Sequence, residues 1–114
     1  SITGAFIALV EALWNCVERG ILSSGGIVKD YLGAISVGVV GGQELLDLAF
    51  EEDSAAQVDM NVVMTGSGDL VEVQGTAEGD PFSRETLNRL LDLAQKGVGE
   101  IIVLEKKLLK RGLP

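Results

Sequence analysis

The chain has 114 residues, 46% of them hydrophobic and 23% charged, with a formal net charge of −8. That size suits one domain around one core, and the composition excludes a disordered chain. The absence of histidine excludes triads and zinc sites built on that residue, and a single cysteine, Cys16, excludes an internal disulfide or a thiolate metal cluster.

Taken in chain order, residues 2–19 read as a helix. Glu11, Asn15 and Glu18 form one narrow polar stripe, while Phe6, Ile7, Leu9, Val10, Leu13, Trp14 and Val17 make the rest apolar nearly all round. Such a helix is expected to be covered on more than one side. Cys16 sits among these apolar positions and reads as a small core residue, and Gly20 is a natural stop. Residues 21–31 form a connector, loosest at Ser23-Ser24-Gly25-Gly26. Leu32 to Val40 alternates as a strand, with Ile35, Val37 and Val39 on one face. Gly41-Gly42 suits a two-residue hairpin turn, because both positions tolerate positive φ. Leu45 to Phe50 is the expected returning strand, with Leu46, Leu48 and Phe50 on one face.

Val58 to Thr65 is the third strand. Val58, Met60, Val62 and Met64 point one way, and Asp59, Asn61, Val63 and Thr65 the other. Residues 66–69 form a turn, and Leu70 to Thr76 a fourth strand with Val71 and Val73 opposite Glu72, Gln74 and Thr76. Gly79-Asp80-Pro81 ends the sheet. Ser83 is the expected N-cap of a last helix over about residues 84–110, whose apolar stripe includes Leu87, Leu90, Leu91, Ala94, Val98, Ile101 and Ile102. Gly97 and Gly99 cost that helix about 1 kcal/mol each and invite a bend. Lys106, Lys107, Lys110 and Arg111 suit its C-terminal end. The expected fold is therefore α+β: a helix, a four-stranded mainly antiparallel sheet and a long C-terminal helix, in a single domain over residues 1–114. No apolar run reaches the roughly 18 residues of a membrane span, and no basic leader precedes one, so a cytoplasmic, reduced setting without a membrane partner is expected.

The acidic run Glu51-Glu52-Asp53-Ser54-Ala55-Ala56-Gln57-Val58-Asp59-Met60-Asn61 is the candidate for chemistry. On one straight strand, Asp53 and Asp59 would stand about 20 Å apart. A turn over residues 54–57, joining the second and third strands as a hairpin, would bring the two carboxylates to about 5 Å, within reach of one Mg²⁺ or Mn²⁺. Asn61 shares the face of Asp59 and could donate to a phosphate or a ligand water. Spacing alone favours the simpler reading, a solvated hairpin end carrying acids. Charge also argues against nucleic acid, since residues 1–80 hold 13 acids against 2 bases and residues 81–114 hold 4 against 7.

The residues themselves carry a resemblance. Ala34-Ile35-Ser36-Val37-Gly38-Val39-Val40, the run Glu51 to Ala56, Val58-Asp59-Met60-Asn61-Val62-Val63-Met64-Thr65, Val71-Glu72-Val73-Gln74-Gly75-Thr76-Ala77-Glu78-Gly79 and Pro81-Phe82-Ser83 form one long ordered string that resembles bacterial ribonuclease PH. Ser1-Ile2-Thr3-Gly4 resembles the start of a helix in that family. The resemblance covers the whole chain and corresponds to the family's C-terminal half.

That resemblance implies a phosphate-dependent 3′→5′ exoribonuclease, which trims the 3′ ends of tRNA precursors and runs in reverse as a nucleotidyltransferase. It implies inorganic phosphate as co-substrate, Mg²⁺ or Mn²⁺ as cofactor, and a homo-oligomer, a hexameric ring when complete. By similarity Asp53 and Asp59 are the catalytic aspartates. Asp59 is then the main metal ligand, and Asp53 the general acid for the leaving 3′ oxygen or an outer metal ligand. Asn61 and Gln74 are supporting polar groups; polynucleotide phosphorylases carry lysine at the position of Asn61. Gln74, Thr76 and Glu78 share one strand face in the same string and read equally well as strand-end hydrogen-bonding groups.

A Gly-Thr-Arg run before the first helix, which helps bind phosphate in the family, is not found here, nor is the upstream basic RNA surface. The expectation is that the N-terminal half is absent, that RNA contacts lie mostly there, and that this chain alone is inactive. The alternative is a non-catalytic structural module of a ribonuclease PH-like ring, and the presence of both aspartates favours the catalytic reading. Trp14 and Phe82 read as core anchors rather than base-stacking platforms, and the Lys106–Arg111 cluster as a solvated helix end.

Overall fold

The computed structural model describes residues 1–46 and 56–114. In chain order the elements are α1 (Ile2–Glu18), β1 (Leu32–Val40), β2 (Gln43–Leu46), β3 (Val58–Thr65), β4 (Leu70–Ala77) and α2 (Arg84–Leu108). They make an α+β fold with one antiparallel sheet in the order β2-β1-β3-β4. No helix among the described residues is long and apolar enough to cross a membrane.

Local chemistry sets the boundaries. The Ser1 hydroxyl accepts from the Gly4 amide and caps α1. Gly41 and Gly42, at φ 56° and 78°, make the tight turn that pairs Val40 with Gln43. The β3–β4 turn is latched by Asp30, which accepts from the backbone amide and the hydroxyl of Ser67. The Ser67 hydroxyl, with the Tyr31 and Ser67 amides, holds the Asp30 carboxyl below its usual range. The Ser83 hydroxyl accepts from the Thr86 amide at 3.1 Å and caps α2, with Glu85 in the first turn and Lys106 and Lys107 in the last.

The main core lies between the sheet and α2. Val37, Met60, Val62, Leu90 and Ala94 are fully buried there, joined by Val98 at 1% exposure. The period-2 alternation of β1 and β3 meets the helical stripe of α2, so the even-numbered residues of β3 face inward as the pattern requires. A second, smaller cluster joins Phe6 and Val10 of α1 to Leu109 beyond α2, with Tyr31 packed against both clusters.

Three sequence expectations are corrected. The second and third strands do not form a hairpin, because β1 lies between them and pairs with both. Gly38 pairs with Leu45 on one side and Asp59 on the other, so facing positions of β2 and β3 stand about 10 Å apart, not 5. The physical reason is that β1 alternates cleanly enough to bury its apolar face as a central strand, with its hairpin partner on one edge and β3 on the other. Next, α1 is covered on one side only: Phe6 and Val10 are buried, but Leu9 is 54% exposed. Finally, α2 runs unbroken through Gly97 and Gly99, because Gly97 lies against Ile35 and Leu46 and lets the helix approach the sheet closely. The expected continuation of β2 through Leu48 and Phe50 lies outside the described residues.

Candidate active site

The sheet has two unlike faces. One is sealed by α2. The other presents, row by row across β1, β3 and β4, the register partners Gly38, Asp59 and Thr76, then Ser36, Asn61 and Gln74, then Ala34, Val63 and Glu72. The face arises because β3 alternates Val-Asp-Met-Asn-Val: each apolar residue turned to α2 forces its neighbour outward. On β1 the outward residues are small, which keeps this face open.

Asp59 is half-buried and Asn61 is exposed, two residues along the same strand and so about 7 Å apart. The Ser36 hydroxyl donates to Asn61 Oδ1 at 2.8 Å. A cleft of about 390 Å³ lies over the Ser36–Asn61 part of this face, lined by Ile2, Ser36, Asn61, Glu72 and Gln74 among others. Of the residues expected from sequence, Asp59, Asn61 and Gln74 are thus brought together; Asp53 lies outside the described residues. Thr76 stands beside Asp59 in register, whereas Glu78 lies past the end of β4, its amide bonded to the Gln57 carbonyl.

Residues 30–97 match the model of the 3′ exoribonuclease family, domain 2. The chain belongs to that family. It is similar to ribonuclease PH of Moorella thermoacetica, 55% identical over 113 residues that cover 96% of this chain and 43% of that protein. It is also similar to ribonuclease PH of Syntrophomonas wolfei, 54% identical over 109 residues, covering 96% of this chain and 45% of the relative. The chain therefore spans less than half the length of the curated relatives it matches.

Within this 3′ exoribonuclease domain the donors on the open face are oxygens and amides, a set that suits a hard cation such as Mg²⁺ or Mn²⁺. Among the described residues no three acidic or thiol groups cluster into a complete metal site. A second and larger cleft, about 610 Å³, lies at the end of the sheet near the start of α2. Arg89 at its wall is paired with Glu44 at 2.8 Å, which removes it as a free anion-binding group. Two of the terminal basic residues also have structural partners. Lys106 lies 5.3 Å from the centre of the Tyr31 ring, and Arg111 lies over Trp14 and pairs with Glu18. Trp14 itself donates its indole N–H to the Gly112 carbonyl, as befits an anchor. Sequence reasoning missed Ser36, whose only signal was its register opposite Asn61, and that register needs the strand order.

Proposed function

We propose that this chain carries the carboxylate-bearing part of a phosphate-dependent 3′→5′ exoribonuclease that trims the 3′ ends of tRNA precursors. The observation that carries the reading is the gathering of Asp59, Asn61 and Gln74 on the sheet face that α2 does not cover, in a chain 55% identical to a ribonuclease PH. An oxygen of inorganic phosphate attacks the terminal phosphodiester, the bond from phosphorus to the 3′ oxygen breaks, and a nucleoside diphosphate leaves. The 3′ oxygen takes a proton, for which Asp53 is the proposed donor. Asp59 would hold Mg²⁺ or Mn²⁺, which would supply positive charge to neutralise the reacting phosphates. That charge offsets only part of the net charge of −8, which otherwise repels RNA.

The protein portion that makes up the rest of the relatives' length is the proposed partner. It would bring the phosphate-binding groups and most RNA contacts, and the complete enzyme would be a homo-oligomeric, hexameric ring in the cytoplasm. On this reading the 114 residues alone do not catalyse phosphorolysis. Two measurements test it. Mn²⁺ binding to the chain should be weak and should vanish in Asp59→Ala; binding unchanged by that substitution removes the metal assignment. Phosphorolysis of a tRNA with a 3′ extension should appear only when the relatives' preceding portion is supplied, and robust activity without it would overturn the need for a partner.

A further inference from the structure

Ser36 is the one hydroxyl that β1 presents on the open face, between Ala34 and Gly38. It stands directly opposite Asn61, and its hydroxyl donates to Asn61 Oδ1 at 2.8 Å. The hydrogen bond occupies the oxygen of the amide and leaves its two N–H donors on the far side, away from β1. Among the described residues those donors have no protein partner. They belong to the cleft that Glu72 and Gln74 also line.

A hydroxyl can donate or accept, so Ser36 alone does not dictate which end of the amide faces out. The surroundings decide it. Glu72 lines the same cleft and accepts hydrogen bonds when ionised. An amide oxygen turned toward that carboxylate would be repelled, whereas N–H groups are attracted. The favoured state has Ser36 donating and the Asn61 N–H edge facing the cleft.

We propose that Ser36 is a positioning residue: it locks the Asn61 amide with its N–H edge outward, where that edge donates to a non-bridging phosphate oxygen. This rests on the reading of the open face as a phosphorolytic site. The oxygen belongs either to inorganic phosphate or to the terminal phosphodiester of RNA, and the two sources separate in kinetics.

The test has two arms. In the active assembly of this chain with its proposed partner portion, Ser36→Ala should lower kcat/KM roughly tenfold, as expected for one lost orienting hydrogen bond. Ser36→Thr, which keeps the hydroxyl, should restore activity. Asn61→Ala should cost at least as much, and adding Ser36→Ala to it should cost nothing further. A rise in KM for phosphate alone assigns the contact to phosphate, and a rise for RNA alone assigns it to the phosphodiester. Additive losses, or full activity in Ser36→Ala while Asp59→Ala is inactive, would overturn the proposal.

The second arm uses the same assembly, so that the partner portion's phosphate-binding groups are present, and does not require turnover. The Asn61 side-chain amide resonance should shift on titration with inorganic phosphate or a dinucleotide in the presence of Mg²⁺, and should lose that response in Ser36→Ala. If the assembly shows no phosphorolysis yet this shift appears, the functional reading fails and the positioning role stands. A resonance that ignores both ligands sinks the positioning role itself.

Discussion

Glu105 is the residue whose environment most contradicts its chemistry. Its side chain is fully buried, and neither carboxylate oxygen has a hydrogen-bond partner. Burial pushes its pKa up to about 7 from an ordinary 4.5. The proton is therefore held more tightly in the folded chain than in the unfolded one. Stability from this group is fully present below about pH 4.5, declines as pH rises toward 7, and is flat above that. At about 1.4 kcal/mol per unit, the ionised form costs on the order of 3 kcal/mol. Glu105→Gln keeps the shape and removes the titration. Urea unfolding should show the two proteins nearly equal at about pH 4 and the glutamine variant more stable by roughly that amount at pH 8. A difference that does not change with pH would mean that the carboxylate is solvated. Glu105 was partly legible: Val98, Ile102, Glu105 and Leu109 follow helical spacing, so it sits on the apolar stripe. The sequence reading carries the apolar stripe only to Ile102 and does not single Glu105 out.

At the scale of elements, the glycines of α2 show where sequence reading stops. Helix propensity assigns Gly97 and Gly99 the same penalty. In the fold they are opposites. A Cβ at Gly97 would run into Ile35 Cδ1 and stand 2.8 Å from Leu46 Cδ1, while at Gly99 it would meet nothing within 4 Å. Gly99→Ala should therefore stabilise the chain by about 0.5–1 kcal/mol through propensity alone. Gly97→Ala should destabilise it by roughly 1–2 kcal/mol net, since overpacking against two apolar side chains outweighs the propensity gain. Chemical denaturation of the two variants decides this, and equal shifts of the same sign would show that the close approach is not tight. The elements themselves were legible because caps, glycine turns and periodicity are local: Ser83, Gly41-Gly42 and the alternation of β3 all behave as their residue types demand. Strand order was not, because nothing in the β3 pattern says which neighbour it pairs with. The same limit explains β4. Val71 and Val73 alternate as a core face but are 62% and 41% exposed, for α2 packs chiefly on β1, β2 and β3 rather than on β4.

At the scale of the molecule, the chain is longer and thinner than its length suggests. Its radius of gyration is 16.7 Å with extents of 55 × 25 × 19 Å, against about 13 Å for a compact domain of this size. The cause is the division of the core. The sheet and α2 make one cluster, while α1 and the segment after α2 make another, and Tyr31 bridges them with its ring 6.3 Å from that of Phe6. Among the strands α1 meets chiefly β1, so few apolar contacts tie it to the larger cluster. Regions with few such contacts open at lower free energy than the global unfolding. Hydrogen exchange should accordingly show α1 amides opening well before those of Val58–Thr65. Phe6→Ala deletes the central side chain of the smaller cluster, which is 8% exposed, and should lower protection in α1 further while leaving β3 nearly unchanged. If both regions instead exchange together, and Phe6→Ala lowers protection equally in each, then Tyr31 couples the clusters into one cooperative unit. Sequence could not foresee the division, because a helix apolar nearly all round looks like a helix at the centre of one core. It is equally a helix whose other apolar side awaits cover, which is what the proposed partner portion would provide.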